Sequence, residues 1–182
     1  MSRAGWINTG LCAGLLLSSG AALAQASPAQ AANSQARSDR DFLEQALGVN
    51  ELELQLGRLA GERAIAPELK AMGQKMVEKH TELGQQLSQL AQTSGGSEKA
   101  VMSPDQRATL DRVASQSGPA FDTVFKQTVD AGHIQELGMY REEVSSAVNP
   151  QLRDLAQRRV VKLQETVAEA EKAPKQQPKH DW

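Results

Sequence analysis

Aromatic residues make up only 3% of this 182-residue chain: three Phe, two Trp and one Tyr. β-rich domains draw on aromatic and β-branched side chains, so this scarcity argues for helices packed through the abundant Leu and Ala. Cysteine is nearly absent too. The single Cys12 lies inside an N-terminal apolar run, so neither disulfides nor thiolate chemistry serve the remainder of the chain. There is no Gly-rich phosphate loop and no motif pairing a serine with a base. Positive charge is not in excess, with 20 Lys+Arg against 22 Asp+Glu, which leaves no basic patch for nucleic acid. What is present, 40% hydrophobic and 23% charged residues, suits one globular domain with tails.

The first 24 residues read as a secretory signal. Arg3 precedes the apolar run Leu11 to Leu17, and small residues follow, ending in Ala22-Leu23-Ala24, the small-x-small pattern that a signal peptidase accepts. Ser18, Ser19 and Gly20 interrupt the run before it reaches the roughly 20 residues of a spanning helix. A lipoprotein signal would place its cysteine after the apolar run with an aliphatic residue three positions earlier, where this chain has Thr9. Cleavage after Ala24 would leave a periplasmic protein without a stable membrane anchor. Without Arg3 that mature chain carries 19 Lys+Arg against 22 Asp+Glu.

Residues 25–39, QASPAQAANSQARSD, are small and polar and read as a flexible linker. Residues 173–182, rich in Lys, Gln and Pro, read as a disordered tail. Between them, residues 40–172 have the punctuation of a helical bundle. The expected helices run from about Asp41 to Ala64, Pro67 to Thr93, Ser103 to Ser115, Ala120 to Val148 and Pro150 to Lys172. Pro67, Pro104 and Pro150 suit first turns, where a missing N–H costs nothing. The Gly95-Gly96 and Gly118-Pro119 pairs mark stops. The expected fold is an all-α, up-down-up-down four-helix bundle with a short extra helix between its two hairpins.

Advancing about 100° per residue, the apolar stripes of these helices contain intruders. Phe42, Ala46, Val49, Leu56, Gly57 and Ala60 share a face with Glu53. Leu69, Met72, Gly73, Met76, Leu83, Gly84 and Leu87 share one with His80. Phe121, Phe125, Val129, Gly132, Met139 and Tyr140 share one with Glu136, and His133 stands at its edge. The last helix has no acid or histidine in its stripe, but Arg159 at the border can supply a cation. Burying such groups costs several kcal/mol unless they find partners. Glu53 precedes the first turn by about 13 residues and His80 follows it by about 14, which puts them at one depth. Glu136 comes level with Leu163 or Gln164, and His133 with Thr166. The relative height of the two half-sites stays open.

Several short motifs occur in order: Glu53-Leu54-Gln55-Leu56-Gly57-Arg58-Leu59-Ala60, Pro67-Glu68-Leu69-Lys70, Met76-Val77-Glu78-Lys79-His80-Thr81, then Phe121-Asp122 with His133 eleven residues later. Over about residues 41–171 this resembles the ferritin-like domain of unknown function numbered 4142, found in bacterial envelope proteins. The resemblance implies an exported four-helix bundle of unestablished biochemical role. Glu53, His80 and His133 match the family's pattern. Gln55 stands where the family usually has an acid, and Thr166 where it has a late histidine, which weakens a metal site carried over from it.

Three readings of the constellation follow. Glu53, His80, His133 and Glu136 can bind a single transition-metal ion such as iron, zinc or copper, a sensible O/N donor set. No Glu-x-x-His of the di-iron kind occurs, though Asp130-x-x-His133 and His133-x-x-Glu136 have one-turn spacing. Alternatively, the same residues form a metal-free polar network in which His80 serves Glu53, and His133 or Arg159 serves Glu136. A softer site for Cu(I) draws on Met72, Met76, His80 and Met139, although methionine at helical spacing is commonly core filler. No catalytic residues are assigned. A structural, stress-related or binding role leads, with metal-binding or oxidoreductase activity as the alternative. An envelope protein or a second copy of the chain is the open partner class. The Met102-Ser103-Pro104-Asp105-Gln106-Arg107 stretch is explained by helix capping, and the helix it opens is expected to cover one end of the bundle. Glu142-Glu143 and Arg158-Arg159 read as solvated faces, with Arg159 the reserved exception.

Overall fold

A computed structural model describes residues 28–172, all of whose regular structure is helical. The helices are α1 (Pro28–Arg63), α2 (Pro67–Thr93), α3 (Pro104–Ala114), α4 (Gly118–Ser146) and α5 (Pro150–Lys172). Each begins with proline at or next to its first residue, where the lost N–H has no helical partner to lose. Ser103 and Gln106 close a reciprocal capping box on α3, with Gln106 N donating to Ser103 Oγ at 3.2 Å and Ser103 N to Gln106 Oε1 at 2.7 Å. Asn149 Oδ1 accepts from Gln151 N at 2.9 Å and so starts α5. Gly95, at φ 71°, ends α2 in the left-handed conformation that glycine adopts freely. The expected signal segment 1–24 and the expected tail 173–182 lie outside the described residues, as do residues 25–27.

The first helix starts earlier than the sequence reading had it. Residues 28–39, taken as part of a linker, are the opening turns of α1. Composition there is polar, but Ala, Gln and Arg are good helix formers, and two side chains fasten the segment to the second hairpin. Gln35 Nε2 donates to Ser146 O at 2.6 Å. The buried Asp39 accepts from Val148 N at 3.1 Å and Asn149 N at 2.8 Å.

α1 packs along α2, and α4 along α5, as two antiparallel hairpins. Asn149 Nδ2 reaches Ser94 Oγ at 3.4 Å, so the C-terminal ends of α2 and α4 lie together. At the opposite end Asp122 accepts from Ile65 N at 3.0 Å and Ala66 N at 2.9 Å. Successive helices thus alternate in direction when α3 is counted, and among the four long ones α2 and α4 run the same way. α3 is the crossover. It runs beside α1 from the level of Gly48, whose neighbour is Gln106, to that of Arg63, which donates to Ala114 O at 2.7 Å. It therefore lies along the α1/α4 side of the bundle rather than over one end.

α1 and α2 touch backbone to backbone at a pair of glycines. A Cβ at Gly73 would stand 2.6 Å from Gly57 O, and one at Gly57 would stand 2.9 Å from Gly73 O. Above and below the middle, the core divides. Phe42, Leu43, Leu47, Leu87, Tyr140, Leu152 and Leu163 belong to one apolar cluster, in which Phe42 meets Tyr140 edge-on at 5.3 Å. Leu56, Ala60, Met76, Val113, Phe121, Phe125 and Val129 belong to the other. Between the clusters sit the buried polar side chains Asn50, Glu53, His80, His133 and Glu136.

Candidate metal centre

Each residue singled out on an apolar stripe is buried, and the two half-sites meet. Glu53, only 3% exposed, projects from α1 between histidines of two other helices. Its Oε2 lies 2.9 Å from His80 Nε2 on α2 and 3.4 Å from His133 Nε2 on α4. Both imidazoles stand at ion-pair distance, but neither is aligned as a hydrogen bond, so Oε2 is a buried oxygen without an aligned donor among the described residues. Such an atom asks for a cation or a hydrogen-bond donor.

Asn50 settles how His80 is presented. Its Nδ2 donates to the His80 carbonyl oxygen at 2.9 Å, and a carbonyl can only accept, so the orientation of the amide is fixed. Asn50 Oδ1, an acceptor, is then 3.0 Å from His80 Nδ1, which must carry the hydrogen. Nε2 is left to face Glu53 Oε2, and a bare lone pair there would oppose another acceptor. A proton or a metal ion has to lie between them. A ring N–H held by an outer partner while the other nitrogen faces inward is the arrangement of a metal-ligating histidine. Behind the clamp stands Gly84, where a Cβ would be 2.7 Å from Asn50 Nδ2.

Glu136 is held differently. Arg159 on α5 donates Nε to Oε1 and Nη2 to Oε2, both at 2.9 Å, the forked geometry that recognises an ionised carboxylate. The border position of Arg159 had signalled this partner; its side chain is 12% exposed, so it is not a solvated surface group. Glu143, likewise read as solvated, is buried with Oε1 lacking a hydrogen-bond partner. Glu143, seven residues after Glu136, fell outside the expected apolar stripe, but α1 is longer than expected and brings Asp39 to that side. Asp130 is tied to Lys126 at 2.6 Å rather than joining His133. Thr166 is a half-buried residue of α5 that donates back to Lys162 O at 3.0 Å. Met72 and Met76 pack in the apolar cluster around Phe121 and Phe125, which is core filling rather than a thioether site.

The electrostatics follow from this crowding. Burial pushes the Glu53 carboxyl up, but the two imidazoles beside it outweigh burial and hold it well below the usual carboxylate range. His133 shows the converse: burial disfavours its charge, and Glu53 overcomes this and raises it. Glu136 is raised by burial and by the charge of Glu53, with Arg159 pulling it back.

A groove reaches this centre from outside. α1, α3 and α4 enclose about 750 Å³, with Glu53, Gly132 and Glu136 among its lining. Gly132 lines the passage beside Glu53, where a Cβ would come into contact with Glu53 Oε1 at 3.4 Å. Glu53, His133 and Glu136 each offer a ligand atom within 4.8 Å of the others. His80 adds a nitrogen beside the orphaned oxygen from the opposite side. Carboxylate and imidazole donors fit a borderline ion, with Glu136 the weakest ligand because Arg159 occupies both its oxygens.

Residues 23–173 match the family model described as domain of unknown function DUF4142. The chain belongs to that family. No curated protein matches it. Among solved structures it is similar to CopM in the Cu(I)-bound form, with TM-score 0.61, 16% identity, and coverage of 73% of this chain and 92% of that one. CopM in the Ag-bound form is similar at TM-score 0.60 and 16% identity, with the same coverage. At that identity the likeness is one of fold. Among the described residues, no helix is long and apolar enough to cross a membrane.

Proposed function

We propose that this DUF4142 protein is an exported, ferritin-like helical bundle that binds a single transition-metal ion in the cell envelope. The observation that carries the reading is Glu53 Oε2, a buried carboxylate oxygen with two imidazole nitrogens at 2.9 and 3.4 Å and no aligned donor. Glu53 and His133 would be the principal ligands, with His80 and Glu136 completing the set. The Arg3, Leu11 to Leu17 and Ala22-Leu23-Ala24 pattern supports export. The copper- and silver-bound forms of CopM add that a bundle of similar fold holds such ions. Catalysis is no part of the proposal.

The Arg159–Glu136 fork favours a second reading, a metal-free polar network that fixes helix pairing. Metal analysis of the purified mature protein separates the two, with Glu53→Gln and His133→Ala alongside. Stoichiometric zinc, iron or copper that is lost in both variants supports the metal site. A folded wild type that retains no ion from any of the three salts leaves the network.

A further inference from the structure

The groove between α1, α3 and α4 is much larger than a metal ion requires. A liquid water occupies about 30 Å³, so an ion with six waters needs on the order of 200 Å³, against about 750 Å³ here. Volumes of roughly 300–1,000 Å³ are those of small-molecule sites.

The charged side chains that line it are Glu53 and Glu136 on the floor, and Asp105 and Arg112 of α3 along the wall, with Arg112 the one cation among them. Arg112 makes no ion pair among the described residues; its Nη2 reaches only Thr128 Oγ1, at 3.5 Å. Thr128 is four residues before Gly132 on α4, so the guanidinium is displaced along the helix by about 6 Å from the opening onto Glu53. Gln127 and Gln135 of α4, one residue before Thr128 and three after Gly132, add exposed amides to the lining. Glu136 is already paired with Arg159, so Glu53 is the floor's open carboxylate and favours a cationic group, while the exposed Arg112 can receive a carboxylate farther along the groove.

We propose that this groove binds a small dipolar ligand, whose cationic centre meets Glu53 and whose carboxylate meets Arg112. Two sources share that chemistry. One is an ω-amino acid, with an ammonium group as its cationic end. The other is a metal ion arriving with a small carboxylate chelator, and this source alone rests on the metal reading given above.

Calorimetry on the metal-depleted mature protein tests the proposal with 4-aminobutyrate, zinc citrate and zinc chloride as probes. The variant is Arg112→Gln, an exposed position where folding is not at stake. The expected result is saturable binding of 4-aminobutyrate or of zinc citrate with the citrate retained, weakened at least tenfold in the variant, with zinc chloride binding unaltered by it. Retention of 4-aminobutyrate without any zinc binding would uphold the dipolar site and overturn the metal reading. Equal binding of the dipolar probes to wild type and variant, or citrate that merely strips zinc away, overturns the dipolar site and leaves the metal reading standing. Failure of all three probes overturns both.

Discussion

Asn50 grips His80 at both its backbone and its ring, donating to the carbonyl oxygen at 2.9 Å and facing Nδ1 at 3.0 Å. A residue of α1 thereby sets the tautomer of a histidine on α2. Replacing Asn50 by Ala should lower zinc affinity by about 10–100-fold, the usual effect of losing an outer partner of a ligand. Ring nitrogen shifts of His80 provide the direct check: hydrogen on Nδ1 in the wild type and a mixed tautomer in the variant. An unchanged tautomer in the variant would remove Asn50 from the site.

Gly73→Ala should destabilise the fold by about 1–3 kcal/mol, the range for forcing a methyl into a packed contact, because its Cβ would meet the Gly57 carbonyl at 2.6 Å. Gly138, within α4, has open space where a Cβ would go. There the same substitution should stabilise by about 0.5–1 kcal/mol through helix propensity. Urea unfolding of the two variants measures the contrast, and shifts of the same sign would contradict the backbone contact between α1 and α2.

Burial, followed by the nearby Asp39 carboxylate, raises the Glu143 carboxyl to about 7. The folded protein then holds this proton more tightly than the unfolded chain does. Between the ordinary carboxyl range and about pH 7 the native state binds more protons, so the Glu143 contribution to stability falls as pH rises and levels off above it. Glu143→Gln should abolish that part of the slope and raise the melting temperature most at pH 8. A variant whose profile parallels the wild type would show that Glu143 titrates normally.

Two aspartates brace the hairpins from opposite ends. Asp39 of α1 holds the α4–α5 turn, and Asp122 of α4 holds the α1–α2 turn. Asp39→Ala and Asp122→Ala should each cost about 1.5–3 kcal/mol, the range for hydrogen bonds to charged groups. The two sites share no partner, so their losses should add in the double variant. Denaturant midpoints of the three variants measure this, and strong non-additivity would mean that the braces do not act separately.

These braces also explain what could be foreseen from the sequence. Turn-counting placed Glu53 level with His80 because both belong to one hairpin, where residue number fixes depth. The height of His133 against Glu53 depends on contacts between hairpins, and Asp39 and Asp122 are polar residues whose partners are backbone N–H groups, invisible to a hydrophobic pattern. Asn50 was missed for a similar reason. An amide beside an apolar stripe looks like surface until the helix facing it is known to carry His80 and to have only Gly84 behind it. The opening turns of α1 were hidden by composition, since Gln35 and Asp39 are ordered by what they touch rather than by what they exclude from water.

The polar belt across the middle of the bundle divides the hydrophobic interior into two stacked compartments. Phe42 and Tyr140 lock one, while Phe121 and Phe125 stack in the other with centroids 5.9 Å apart. On the proposed metal reading, an ion entering or leaving this seam would exchange polar contacts and water while both apolar clusters keep their packing, so occupancy would be separated from the contacts that hold the four long helices together.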